Sequence, residues 1–219
     1  MHELIKHDAF KSLNSRYVDP PHICEQWPVC RIHATTDNVR QVRSSPVACR
    51  TVPRSFELTA QSPHSLQRIR SAFEDETYWL ARLDAFEAGS PRLDYLTTDS
   101  AGETSVSMTM RFGRDQLPEP IQRLRLATLE IVQCERWSAV EDGDLRGQIT
   151  VDAPRTPISG RGSVHLTPAD FGTRLAGTAT VEVNVPLIGG TIARFIAGQL
   201  AHGIVDIVRV TDTWLDAHS

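Results

Sequence analysis

The stretch TRLAGTATVEVNV, residues 173–185, alternates on a period of two. Thr173, Leu175, Gly177, Ala179, Val181, Val183 and Val185 share one parity; Arg174, Ala176, Thr178, Thr180, Glu182 and Asn184 share the other. One face is largely apolar and the other largely polar, the pattern of an antiparallel strand covered on a single side. Directly downstream the period changes. From Gly190 to Ala217, residues Ile192, Ile196, Leu200, Ile204, Ile207, Val208, Trp214 and Leu215 fall on one broad side of a helix, at about 100° per residue. Arg194, Asp206, Arg209, Asp212 and Asp216 fall opposite. So wide an apolar stripe needs an apolar surface to cover it, and the preceding strand offers one. The chain is therefore predicted to close with a long helix lying on the oily side of a sheet.

The same reading extends upstream. Phe56, Leu58 and Ala60 alternate in a first strand over 54–61. Ser62-Pro63 has the form of a helix start, and Leu66, Ile69, Ala72 and Phe73 follow at helical spacing. A second helix is predicted over 75–86, with Tyr78, Trp79, Ala81, Leu83 and Phe86 as its bulky or apolar members. Strands follow at 92–97, 103–112, 128–138, 145–151 and 159–167, separated by turn-forming residues at 99–102, 141–144 and 170–172. The fold class is thus α+β: a curved antiparallel sheet of six or seven strands around a long C-terminal helix, with two short helices after strand 1.

Of the 219 residues, 40% are hydrophobic and 23% charged, the balance of a water-soluble globular protein. A net charge of −4 without a basic stripe argues against a nucleic-acid partner. The first twenty residues lack the apolar core of a secretory signal. The longest apolar stretch, 185–210, is interrupted by Arg194, Gln199, His202, Asp206 and Arg209, so no integral membrane association is predicted and a cytoplasmic location is expected. Three of the four cysteines lie in the first fifty residues, too lopsided for a disulfide framework in the main domain. Residues 1–51 carry Pro20, Pro21, Pro28 and Pro46 and no sustained periodicity. They are expected to be a largely disordered extension, or the product of an over-long gene start with the true chain opening at Val52. Residues 52–219 form the main domain. His22, Cys24, Cys30 and His33 lack the tight cysteine pairs of structural zinc sites, so neither a metal nor a cofactor is predicted.

Several short stretches carry a family resemblance: Pro53-Arg54-Ser55-Phe56, Tyr78-Trp79 with Ala81-Arg82-Leu83, Leu129-Glu130-Ile131-Val132, Glu135-Arg136-Trp137, and Val185-Pro186-Leu187-Ile188-Gly189-Gly190 leading into Phe195-Ile196-Ala197-Gly198-Gln199-Leu200. On these, and on the order of elements, the chain resembles the START-like helix-grip (SRPBCC) superfamily, which includes the birch-pollen allergen, polyketide cyclases and lipid-transfer domains. Within it the chain is most similar to an uncharacterised actinobacterial family. The resemblance implies a hydrophobic cavity between sheet and helix, and it supplies no catalytic residues.

Alternation places Phe56, Leu58, Val106, Met108, Met110, Ile131, Ile149, Val164, Leu175, Val181 and Val183 on the inward face. Histidine, cysteine and aspartate are missing from that set, so no nucleophile and base are placed together. Gln133 and Glu135 are the polar exceptions, sharing the parity of Ile131 and Trp137. Glu135 is the sole candidate for acid–base chemistry. Its plainer reading, which we prefer, is a carboxylate near the sheet's end, in water or paired with an arginine such as Arg136. Met108 and Met110 are either cavity lining or ordinary core. The candidate ligand contacts are Met108, Met110, Ile131, Gln133, Glu135, Leu175, Val181, Ile196, Leu200 and Ile204. The function expected is binding or carriage of a hydrophobic small molecule, lipid or polyketide-like. The alternatives are a cyclase or dehydratase acting on such a compound, and an interaction module with a filled core; protein partners are not legible. Truncation before Arg194 is expected to abolish folding, because it removes most of the helical stripe. A soluble truncated protein that melts cooperatively would contradict this.

Overall fold

The computed structural model describes residues 53–86, 89–140 and 143–218; the expectations for residues 1–51 lie outside the described residues. Alternation decides the architecture. Strands β1 (Arg54–Ser62), β2 (Ser90–Thr98), β3 (Thr104–Gly113), β4 (Thr128–Ala139), β5 (Leu145–Ala153), β6 (Ile158–Ala169) and β7 (Gly172–Val183) form one sheet in the order β1-β7-β6-β5-β4-β3-β2, every neighbouring pair antiparallel. Helices α1 (Leu66–Phe73) and α2 (Glu76–Asp84) follow β1. A short helix α3 (Glu119–Gln122) sits between β3 and β4, and α4 (Gly189–Ala217) closes the chain. This is the predicted helix-grip layout.

Register fixes which side chains share the inner face. Met110 stands opposite Ile131, Met108 opposite Gln133 and Val106 opposite Glu135. Gln133 in turn faces Val151, and Glu135 faces Ile149. A slip of one residue would turn each of these sets outward, so the valines, methionines and isoleucines hold the pairing in place.

Boundaries differ from the sequence reading where local caps decide. Helix α1 is capped by Ser65, whose hydroxyl accepts from the Arg68 N–H, and not by Ser62. Ser62 ends β1 and donates its hydroxyl to Asp212 on α4. Helix α2 begins after Asp75, whose carboxylate accepts from the Thr77 N–H. The Pro118–Pro120 region, between the predicted strands, forms α3, with a proline in its first turn. Val185 falls past the end of β7. At Gly189 an added β-carbon would stand 2.5 Å from the Val183 carbonyl oxygen, so the turn into α4 requires glycine.

Two apolar clusters hold α4. Near its start, Ile192 and Ala193 are buried with Val181, Val183, Leu129, Ala153, Leu117 and Ile121. Near its end, Leu215 is buried with Leu58, Tyr78, Trp79, Phe73, Trp137 and Leu166. Aromatic contacts bind the second cluster together: Phe73 and Trp137 lie 4.5 Å apart by ring centroids, and Tyr78 meets Trp214 edge-on at 5.6 Å. Such pairs add about 0.5–1.5 kcal/mol beyond their buried area.

By length and composition alone α4 is apolar enough to cross a membrane, with an 18-residue window of mean hydropathy 1.2. Here it packs on β1, β7 and α2 as the core helix of the domain. Only 13% of that window is buried; its outer side, with Arg194, Val205, Asp206 and Arg209, is exposed.

This arrangement predicts unequal costs along one helix. Leu215→Ala should destabilise the protein by about 2–5 kcal/mol, as a buried leucine does. Leu200→Ala, at a position 39% exposed, should cost less than about half as much. Urea unfolding of the two variants measures both values, and equal costs would contradict the arrangement.

Candidate functional site

Between the inner face of the sheet and α4 lies a cavity of about 580 Å³. Phe195, Ile196, Leu200, Ile204, Ile207 and Val208 of α4 roof it; Phe56, Met110, Ile131, Ile149, Val151, Leu175 and Val181 line the sheet side. The two clusters that seat the helix lie toward its two ends; between them Phe195, Ile196 and Ile204 pack only in part. The sheet adds room at β6, where two consecutive inward positions are Gly160 and Gly162. A β-carbon at Gly162 would have its nearest neighbour at 3.5 Å, ordinary contact distance. Glycine inside a strand weakens it, so this pair trades strand stability for space.

One polar group of residues borders the cavity from the sheet. Glu135, 3% exposed, accepts from Arg82 of α2 in a forked pair, Nη2 to Oε1 at 2.8 Å and Nη1 to Oε2 at 3.4 Å. Gln133 Nε2 donates to Oε1 at 2.6 Å, and Trp137 Nε1 donates to Oε2 at 3.0 Å. Arg82 also lies over the Trp79 ring, 4.9 Å from its centroid, a favourable cation–π placement. Its Nε–H is buried without a hydrogen-bond partner. Burial opposes the Arg82 charge, but the carboxylate of Glu135 and the hydroxyl of Tyr78 outweigh that and hold its pKa above the ordinary arginine value. Burial also lifts the Tyr78 pKa above the usual tyrosine value, against the pull of Arg82 and Thr211. The Tyr78 hydroxyl shares a 2.9 Å hydrogen bond with Thr211 of α4.

A second polar edge lies where β1 meets the last turns of α4. Ser62, Thr173, Thr211 and Asp212 line the cavity there. Thr173 donates to the His64 carbonyl oxygen, and His64 sits between Arg68 and Asp216. The Ser62 hydroxyl donates to Asp212, and among the described residues no histidine ring accepts from it. Among the described residues, no group of three His, Cys, Asp or Glu side chains could hold a metal ion.

Of the ten residues read from the sequence as ligand contacts, nine border the cavity: Met110, Ile131, Gln133, Glu135, Leu175, Val181, Ile196, Leu200 and Ile204. Met108 does not. It shares their face but is 3% exposed in the packed cluster beside Leu93 and Leu96. Glu135 departs from its preferred reading. It is buried rather than in water, and its arginine is Arg82; Arg136 pairs with Glu103 on the other face. Arg82 is the residue the sequence reading missed. The signal was present, since Arg82 stands three and four residues after Trp79 and Tyr78 and so shares their buried face of α2.

With this geometry in hand, comparison places the chain. The model of a family described as "Protein of unknown function (DUF2505)" matches residues 57–215. The chain belongs to that family. An uncharacterised protein of Mycobacterium tuberculosis H37Rv is 27% identical over 170 residues, spanning 75% of this chain and 98% of the relative. A Mycobacterium bovis protein matches with the same figures. The crystal structure of TTHA0849 from Thermus thermophilus superposes with a TM-score of 0.51 at 16% identity, over 76% of this chain and 99% of that one. That likeness, with the strand order and closing helix, establishes the START-like helix-grip fold of this DUF2505 member.

The buried pair makes a sharp expectation for the family member. Arg82→Met or Glu135→Leu alone leaves one buried charge without its counterion and should cost about 3–5 kcal/mol. The double variant should cost far less than the sum, since it removes both charges. Urea denaturation of the four proteins of this cycle decides it; additive costs would show that the two side chains do not act as a pair.

Proposed function

We propose that the protein binds and carries a hydrophobic small molecule in the cavity between the sheet and α4. One observation carries this reading: a hollow of about 580 Å³ walled by apolar side chains that the fold leaves unpacked. Interiors ordinarily close to crystal-like density, and unpacked apolar surface costs stability. A resident ligand would complete the packing that α4 lacks. Cavities of this size and lining are typical of small-molecule sites.

The same geometry favours a carrier over an acid–base enzyme. Two donors reach each oxygen of Glu135, which fills the acceptor capacity of a carboxylate. Nothing remains of it to take a substrate proton. The ligand is lipid-like or polyketide-like in the coarse sense that its body is apolar and of a size to fill the hollow.

Filling the hollow from the protein side tests the proposal. Wild-type protein should enhance the fluorescence of the neutral apolar probe N-phenyl-1-naphthylamine. Gly162→Leu, projecting into the cavity, should weaken that binding by about tenfold or more without lowering the melting temperature. Undiminished binding in Gly162→Leu would place the probe elsewhere and remove the support for this reading.

A further inference from the structure

We propose that the cavity selects a neutral ligand bearing a hydroxyl group, received by the side-chain oxygen of Gln133, over an anionic ligand such as a fatty carboxylate. The proposal rests on the carrier reading and specifies its ligand class. It begins with the orientation of one amide. Gln133 lies 2.6 Å from Glu135 Oε1. An ionised carboxylate only accepts hydrogen bonds, so the amide nitrogen must face it and the amide oxygen must face away. That oxygen accepts no hydrogen bond among the described residues, and Gln133 borders the cavity. Glu135, itself held by Arg82 and Trp137, therefore fixes an acceptor among the apolar side chains of the sheet side, Met110, Ile131, Ile149 and Val151. An acceptor in such a place is satisfied by a donor, and a hydroxyl on an apolar body supplies one.

Charge argues the same way. Among the described residues the cations bordering the cavity are Arg82 and Arg161, and each already faces a carboxylate, Glu135 at 2.8 Å and Glu182 at 3.3 Å. Arg161 is moreover 70% exposed at its side chain. Asp212 also borders the cavity, and its hydrogen-bond partner is the neutral Ser62 hydroxyl. A fatty carboxylate would enter a hollow whose two arginines already face carboxylates and whose other charged group, Asp212, is negative; what Arg82 keeps without a partner is its buried Nε–H alone. Burying a carboxylate without a counterion is costly; burying one hydroxyl against a waiting acceptor is not.

Three twelve-carbon probes separate the chemistries: 1-dodecanol has a donor, 1-methoxydodecane keeps the oxygen without the donor, and dodecanoate at pH 8 is an anion. Each is titrated against bound N-phenyl-1-naphthylamine on the full chain. Dodecanol should displace the dye at a concentration about three- to tenfold lower than the ether, the worth of one hydrogen bond, and dodecanoate should be weakest. Gln133→Leu should bring alcohol and ether together, with circular dichroism melting as the check that it folds. The wild-type comparison stands even if that variant does not fold. Equal displacement by alcohol and ether, or tightest binding of dodecanoate, would overturn the proposal while leaving the carrier reading intact. Persistence of the alcohol preference in folded Gln133→Leu would overturn the assignment to Gln133. Failure of wild-type protein to bind the dye at all would remove the carrier reading and this proposal with it.

Discussion

The structure depends on how α4 is held. Ile192 and Ala193 are buried among Val181, Val183 and Leu129 at one end, and Leu215 is buried among Leu58, Tyr78 and Trp137 at the other. Each large side chain buried there contributes about 1.5–3 kcal/mol, enough to seat the helix without help from its middle. Ile196 and Ile204 pack in part against the two clusters, Leu200 is 39% exposed, and all three border the cavity. Apolar residues that neither fill a core nor face water as polar ones would are most simply understood as a surface kept for another molecule.

The inner wall is not uniformly oily, and its exceptions are organised. Arg82, Gln133, Glu135 and Trp137 come from a helix and a strand distant in sequence, yet they meet around one carboxylate. A buried ion pair of this kind is weak evidence for stability in itself. Its geometric effect is firmer. It ties α2 to the centre of the sheet, and it orients the Gln133 amide. The adjoining glycines of β6 have the complementary effect, withholding side chains where the cavity is to open.

Much of this was legible in the sequence, and the reasons are physical. The alternation of residues 173–185 and the wide stripe of α4 each report a single period, so strand, helix and inward face followed directly. Inward parity likewise brought Met110, Ile131, Gln133 and Glu135 to one wall. Parity could not tell Met108 from Met110, because both point inward; what separates them is their neighbourhood, since Met108 stands beside Leu93 in the packed cluster and Met110 stands beside Pro91 at the cavity. The partner of Glu135 was missed because the nearest arginine in sequence, Arg136, points to the opposite face, while Arg82 arrives through the packing of α2. Gly160 and Gly162 carried no periodic signal at all, since an absent side chain is silent until its surroundings are known. The length of β1 was extended, and the cap of α1 displaced, by Ser62 reaching across to Asp212, a contact between residues 150 apart.

A crystal pressurised with xenon tests the central claim most directly, because xenon enters dry apolar cavities and is unmistakable in electron density. The account predicts xenon, or a co-purified ligand in its place, between the middle of α4 and the Gly160–Gly162 segment of β6. A map in which Leu200 and Ile204 pack directly onto Ile149 and Val151, with no density and no room between them, would contradict it.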